Sequence, residues 1–412
     1  MKKGIVCLLL MGALFVCGCA KEPAAPVETQ APTTQPKVQT NVAQPLTWED
    51  VSAIPVAEDS MTEEQLRQIC LDFMRMQLTV CYTPNDARSF KNGSQEKWLS
   101  YGTVYAGLPY VSNCKGNIYK LMEFYDSDNG MLDISREDIF TIIGNQCSSS
   151  TFWAWNRVAN SALHRDTLSA TRYNGCIPVG TYTYDETMET FADMHTKQIC
   201  NQNGEQVMFE SYAQLKPADG LVTYTGSGHV LMVSGTPNVV YGADGKIDGF
   251  QSTLTYMDQA ADWSVGTQPD GSVCELQGGV DVEISFQTLF RVGYIPFTFA
   301  ELNKADPVEK AEVTYSHTGE TATLNEIDVS QLTANYSISH VRMTIVGERG
   351  ETVYKTLLLP DKKGYAVMEQ TLSLKAVWKE VLPFADGTHT ATLTAILGTG
   401  EQFLLFEGLL KP

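Results

Sequence analysis

Apolar residues follow a helical period early in the chain and a strand period later. Leu66, Ile69, Cys70, Phe73, Met76 and Cys81 recur at roughly helical spacing, and Thr62 with Gln65 can form a capping box, so residues 62 to 81 are predicted as a helix. A stretch rich in Asn, Asp, Ser and Gly then reads as a loop to about residue 100. Gly107-Leu108-Pro109-Tyr110 breaks the chain, with Pro109 fixing a turn. Ile118 to Tyr125 reads as a short helix. Gly144-Asn145-Gln146-Cys147 opens a further helix to about Leu163, with Phe152, Trp155 and Val158 on one side. Gly175 to Thr183 is irregular, and Glu186 to Gln202 reads as another helix that ends in Asn201-Gln202-Asn203-Gly204.

Beyond residue 220 short runs predict strands: Leu221 to Tyr224, then His229-Val230-Leu231-Met232-Val233-Ser234. Asn238 to Tyr241 and Phe250 to Met257 flank Ala243-Asp244-Gly245-Lys246, a hairpin-turn sequence because Asp-Gly tolerates positive φ. Phe286 to Phe299 reads as a further strand pair. Helices followed by an antiparallel sheet is an α+β order. From about residue 305, short alternating runs such as Ser339 to Val346, Thr352 to Lys355 and Thr388 to Ile396 are separated by turns. That pattern predicts a small all-β sandwich over residues 305–412.

The N-terminus has a different pattern. Lys2 and Lys3 precede an apolar run from Ile5 to Val16, which ends in Cys17-Gly18-Cys19. This is the three-part plan of a secretory signal. The run is short for a permanent span, which needs about 20 residues. Gly18 before Cys19, with Val16 three places ahead of it, resembles the bacterial lipobox, which implies lipidation at Cys19 and anchoring at the outer side of the membrane. The alternative is a plain signal peptide. Residues 20–46 are rich in Pro, Thr, Gln and Ala and have no aromatics. Such a segment cannot bury enough apolar surface to offset the entropy of ordering, so it reads as a disordered tether. The expected organisation is therefore a signal over 1–19, a tether over 20–46, one domain over 47–304 and the sandwich over 305–412.

Composition narrows the function classes. The chain is 43% hydrophobic and 10% aromatic, enough to fill cores in two or three domains. Its net charge of −19 disfavours nucleic acid as a partner, because phosphate repels it. Six histidines without a Cys-x-x-Cys pair argue against a zinc site, and no cofactor is expected. Beyond Cys7, Cys17 and Cys19, the cysteines are Cys70, Cys81, Cys114, Cys147, Cys176, Cys200 and Cys274. An odd number leaves at least one without an intramolecular partner. Export permits up to three disulfides, and free buried thiols are the competing reading.

Two features carry candidate chemistry. Cys147 stands at a predicted helix start, where backbone N–H groups and the helix dipole favour a thiolate and can stabilise an oxyanion. A lone cysteine there is most often structural. His229 opens an apolar strand behind Gly226-Ser227-Gly228 and shares a face with Leu231 and Val233. A lone histidine at that position is more often a hydrogen-bonded structural residue.

Their order and setting resemble the NlpC-type branch of papain-like cysteine peptidases and amidases. Gly107-Leu108-Pro109-Tyr110, Cys147-Ser148, Pro217-Ala218-Asp219-Gly220-Leu221 and Gly228-His229-Val230 stand where that family carries its motifs, over about residues 60 to 265. The resemblance implies helices packed on an antiparallel sheet and hydrolysis of amide bonds in peptidoglycan stem peptides. Cys147 would be the nucleophile and His229 the base. It also implies a third polar residue that orients the imidazole. Gln259 is the expected one and Asp258 the alternative, since strand alternation lets only one of the pair face inward. Tyr110, Gln146, Ser148 and Asp258 are candidates for substrate contact or the oxyanion. The family's Asp before the cysteine is Gln146 here, and its Gly-Phe after Cys-Ser is Ser149-Ser150. These departures keep open a second reading, a catalytically silent fold that binds wall polymer or a protein.

Overall fold

The computed structural model describes residues 42–92, 95–160, 176–185, 195–225, 228–268, 270–315, 321–323, 332–360 and 389–411. Cys19, the signal, the tether up to residue 41, the predicted helix end at Leu163, residues 186–194 and the run near Thr388 lie wholly or partly outside them. The described residues form a mixed α and β structure with eight α-helices and several sheets. No helix among them is long and apolar enough to cross a membrane.

The first long helix, Glu63–Thr79, begins where the sequence predicts. Thr62 Oγ1 accepts from the Gln65 N–H, and Gln65 Oε1 accepts from the Thr62 N–H, which satisfies two otherwise orphaned donors. Its apolar stripe, Leu66, Ile69, Cys70, Phe73 and Met74, is buried in the main core. Gln77 on the same helix donates to the Ser150 carbonyl at 3.0 Å, which ties it to the helix Cys147–Trp155.

A ten-stranded sheet carries the core. Its order is Tyr125–Asp126, Met131–Leu132, Cys81–Pro84, Tyr105–Ala106, Val273–Ser285, Thr253–Thr267, Gly228–Val233, Gly220–Tyr224, Ile295–Phe299 and Cys176–Pro178. The two central long strands pair antiparallel from Thr253↔Ser285 to Thr267↔Val273, with register shifts after Tyr256 and Gln259.

Several sequence expectations need correction. Residues 81 to 100 hold the strand Cys81–Pro84 and the hairpin Arg88–Asn92 with Gln95–Leu99, not a loop. Phe90 is the apolar anchor of that hairpin, its ring 4.5 Å from Phe140. The irregular Gly175 to Thr183 includes the strand Cys176–Pro178. Asn238 to Tyr241 forms only isolated bridges, although the turn at Gly245 is present with φ +76°. Phe286 to Phe299 is a helix, Phe286–Val292, capped by Ser285, followed by the strand Ile295–Phe299. Gly293 in the left-handed region ends that helix, and its short apolar run fits a buried helix as well as a strand. A helix at Glu205–Tyr212 and the strands Val273–Ser285 and Gln402–Lys411 were not foreseen.

The C-terminal region has its own core around Val341, Met343, Ile345, Leu393 and Ala395. Its five-stranded sheet runs in the order Thr321–Thr323, Gln402–Lys411, Thr390–Leu397, Ile338–Val346 and Thr352–Leu358, beside the pair Val313–Thr314 and Thr333–Ala334. It is not a loosely tethered appendage. Leu357 and Ile396 belong to the main core. Asn117 Nδ2 donates to Ser339 Oγ at 2.9 Å. The turn after Leu397 abuts the end of the Cys147–Trp155 helix: a Cβ on Gly398 would collide with Asn156 Oδ1, and one on Gly400 with Arg157 and the Tyr119 hydroxyl.

Candidate active site

Cys147 is the first residue of its helix, after Gln146 in extended backbone at the cap. The thiol is 2% exposed. Burial alone raises its pKa. A hydrogen bond with His229, the charge of that ring, and the backbone N–H groups of Val230 and Ser148 outweigh burial and pull it below the usual thiol value. The ring responds in the opposite sense. Burial lowers the His229 pKa, but the hydrogen bonds it donates to Asp258 and Cys147 and the charges of both raise it to about 10. The two shifts together favour a thiolate–imidazolium pair.

Asp258 takes the far side of the ring, with Oδ2 2.8 Å from His229 Nε2, which leaves Nδ1 for the thiol. The sheet register explains this placement. The strand pairs Tyr256↔Val233 and Met257↔Met232 run toward His229, and the shift after Tyr256 brings Asp258 opposite Gly279. Gly279 donates its N–H to Asp258 Oδ1 at 3.2 Å. A Cβ there would lie 2.8 Å from the same oxygen, so the carboxylate fits only beside a glycine.

The expectation that Gln259 orients the imidazole is therefore corrected. Gln259 is fully buried on the opposite face. Its Nε2 donates to the Leu108 carbonyl and its Oε1 accepts from Ser150 Oγ at 3.3 Å. It joins the Gly107–Tyr110 turn to the cysteine helix. Gln277, which sequence reasoning missed because its strand was not recognised, acts beside it. Gln277 Oε1 accepts from the Tyr110 N–H at 3.1 Å, and Nε2 donates to Tyr82 Oη at 2.8 Å.

Tyr110 sits at the cleft. Its hydroxyl hydrogen-bonds with Cys147, and burial followed by the Cys147 charge raises its pKa, so it stays a donor. Tyr294 lies near enough that, after burial and Tyr256, the charges of Asp258 and Cys147 raise its pKa too. Gln146 does not face the sulfur as a free group. Its Oε1 accepts from the Asn113 N–H at 2.9 Å and its Nε2 donates to Ser148 Oγ at 3.3 Å. Ser148 contributes its backbone N–H to the thiol.

Among the described residues, Cys70, Cys81, Cys114, Cys176, Cys200 and Cys274 form no disulfide. Burial raises the thiol pKa of Cys70 to about 12 and of Cys81 and Cys200 to about 11, so these are poor nucleophiles at neutral pH. Among the described residues no group of three or more His, Cys, Asp or Glu is placed to hold a metal ion. Chemically, the arrangement offers a thiol biased toward its thiolate, an imidazole biased toward its charged form with a carboxylate behind it, and N–H and O–H donors converging on the sulfur. No family model, no curated protein and no solved structure matches the chain.

Proposed function

We propose that this chain is a thiol hydrolase of papain-like, NlpC-type architecture that cleaves amide bonds in peptidoglycan stem peptides. The observation that carries this reading is the continuous line Cys147–His229–Asp258, with Cys147 lowered and His229 raised in pKa. The Cys147 thiolate attacks the amide carbonyl carbon, and the carbonyl electron pair moves to oxygen. The Ser148 N–H and the Tyr110 hydroxyl are the donors available to that oxyanion. The His229 imidazolium then gives its proton to the leaving nitrogen, the C–N bond breaks, and a thioester remains. Water, deprotonated by His229, releases the acid and restores the thiol.

The substrate follows from the predicted lipid at Cys19. A tether of about 27 residues at roughly 3 Å each gives a reach of about 80 Å, within wall polymer near the membrane. The test is release of amines from muropeptides by the full-length protein in detergent. Cys147→Ala abolishes it; a fully active Cys147→Ala variant rejects the assignment. The second reading, a wall- or protein-binding module, is favoured by the burial of the Cys147 thiol. It predicts muropeptide binding without turnover.

A further inference from the structure

A groove of about 370 Å³ lies where the first domain meets the C-terminal sheet, lined by Trp48, Glu123, Arg342 and Lys355 among others. That volume is at the lower end of small-molecule sites, roughly 300–1,000 Å³. It has no part in the thiol chemistry.

Its chemistry is specific. The Glu123 carboxylate is buried in the floor. Arg342 donates to Oε1 from Nη2 at 2.6 Å and from Nε at 2.8 Å, and Lys355 donates to Oε2 at 2.8 Å. His340 Nε2 lies 3.1 Å from Oε1, and burial lowers its pKa, so the ring adds no charge at neutral pH. Two permanent cations thus face one carboxylate, which leaves one positive charge in a chain whose net charge is −19. The half-buried Trp48 ring forms one wall, with the Arg342 guanidinium 5.5 Å from its centroid. The hydroxyls of Thr344 and Thr352 and the Gln402 amide complete the lining.

We propose that this groove is a binding site for a saccharide bearing a carboxylate. An aromatic plane offers a face for a sugar ring, neutral hydroxyl and amide groups match sugar hydroxyls, and the uncompensated charge selects the acid. A purely apolar ligand would leave these polar groups unpaired.

The test is calorimetric titration of the full-length protein with the disaccharide of N-acetylglucosamine and N-acetylmuramic acid, against neutral N,N′-diacetylchitobiose. The acidic sugar is expected to bind at least fivefold more tightly. Trp48→Ala and Lys355→Ala each weaken it at least fivefold. Thr352→Glu, on the exposed rim, adds a repelling charge without removing packing and weakens it about tenfold. Cys147→Ala leaves it unchanged, so failure of the hydrolase reading and failure of this one are distinguishable. Equal affinity for both sugars, no heat at millimolar ligand, unchanged binding in Thr352→Glu, or equally tight binding of N-acetyl-D-alanyl-D-alanine overturns the proposal.

Discussion

His229 Nε2 and Asp258 Oδ2 lie 2.8 Å apart, with the carboxylate held from behind by the Gly279 N–H. A carboxylate at this position both orients the ring and stabilises its charged form. Asp258→Asn keeps the shape and removes the charge. It is expected to lower kcat by about 100-fold or more, within the range for general acid–base groups. It also lowers the His229 pKa from about 10, which NMR titration of the imidazole checks. An unchanged imidazole titration would remove Asp258 from the proposed machinery.

The thiol should betray its partner in its pH profile. Cys147 is held below the usual thiol value and His229 above the usual imidazole value. The ion pair therefore forms as pH rises through the lowered Cys147 pKa and is lost as pH passes about 10. Alkylation by iodoacetamide is expected to be fast well below the free thiol's pKa near 8.5, and its rate to change again near pH 10. His229→Ala should raise Cys147 toward the free thiol value as a single titration, because burial is then opposed only by the Val230 and Ser148 N–H groups.

Gln259 has a structural signature instead. Gln259→Leu removes a donor to the Leu108 carbonyl and an acceptor for Ser150. Ser150 Oγ keeps its bond to the Gln146 carbonyl, but the Leu108 carbonyl is left buried and unpaired, which costs about 1–3 kcal/mol. The variant is expected to lose that much in denaturant unfolding while its imidazole titrates as in the parent. A shifted His229 titration would return Gln259 to the site.

The Glu123–Arg342–Lys355 cluster should be acid-sensitive. Burial opposes ionisation of Glu123, yet hydrogen bonds from His340 and Arg342 and the Arg342 charge hold its pKa down at about 2. A depressed carboxylate contributes stability above its unfolded pKa, near 4.3, and loses it as pH falls toward 2. His340, whose pKa is lowered by burial, adds loss in the same direction below its unfolded value. The melting temperature of the parent is expected to fall steeply from pH 5 to pH 2. Glu123→Gln should be less stable at pH 7 and flatter across that range.

The turn that packs on the cysteine helix offers a local test. Gly400 has φ +87°, and a Cβ there collides with Arg157 and Tyr119. Gly400→Ala is expected to destabilise by about 1–3 kcal/mol through backbone strain and the clash. If Cys147 reactivity changes with it, the C-terminal region also sets the helix position; thermal unfolding and alkylation rates read the two effects separately.

Local chemistry made part of this molecule legible. The capping box at Thr62 and Gln65 marked its helix because both partners lie within four residues. The alternation after His229 marked a strand, and Cys147 was placed at a helix start by the polar run before it. The sequence also bounded charge and cysteine number. It did not separate the helix Phe286–Val292 from a strand, because a short apolar run suits either when it is buried. It also pointed to Gln259 where the structure places Asp258 against His229. Adjacent strand residues point to opposite faces, and which face meets His229 depends on a register shift opposite Gly278 and Gly279, some twenty residues away. The same holds for Glu123 with Arg342 and for Gly400 against Arg157, pairs more than two hundred residues apart. Such contacts are set by how sheets and helices close on one another, and only the tertiary structure decided them.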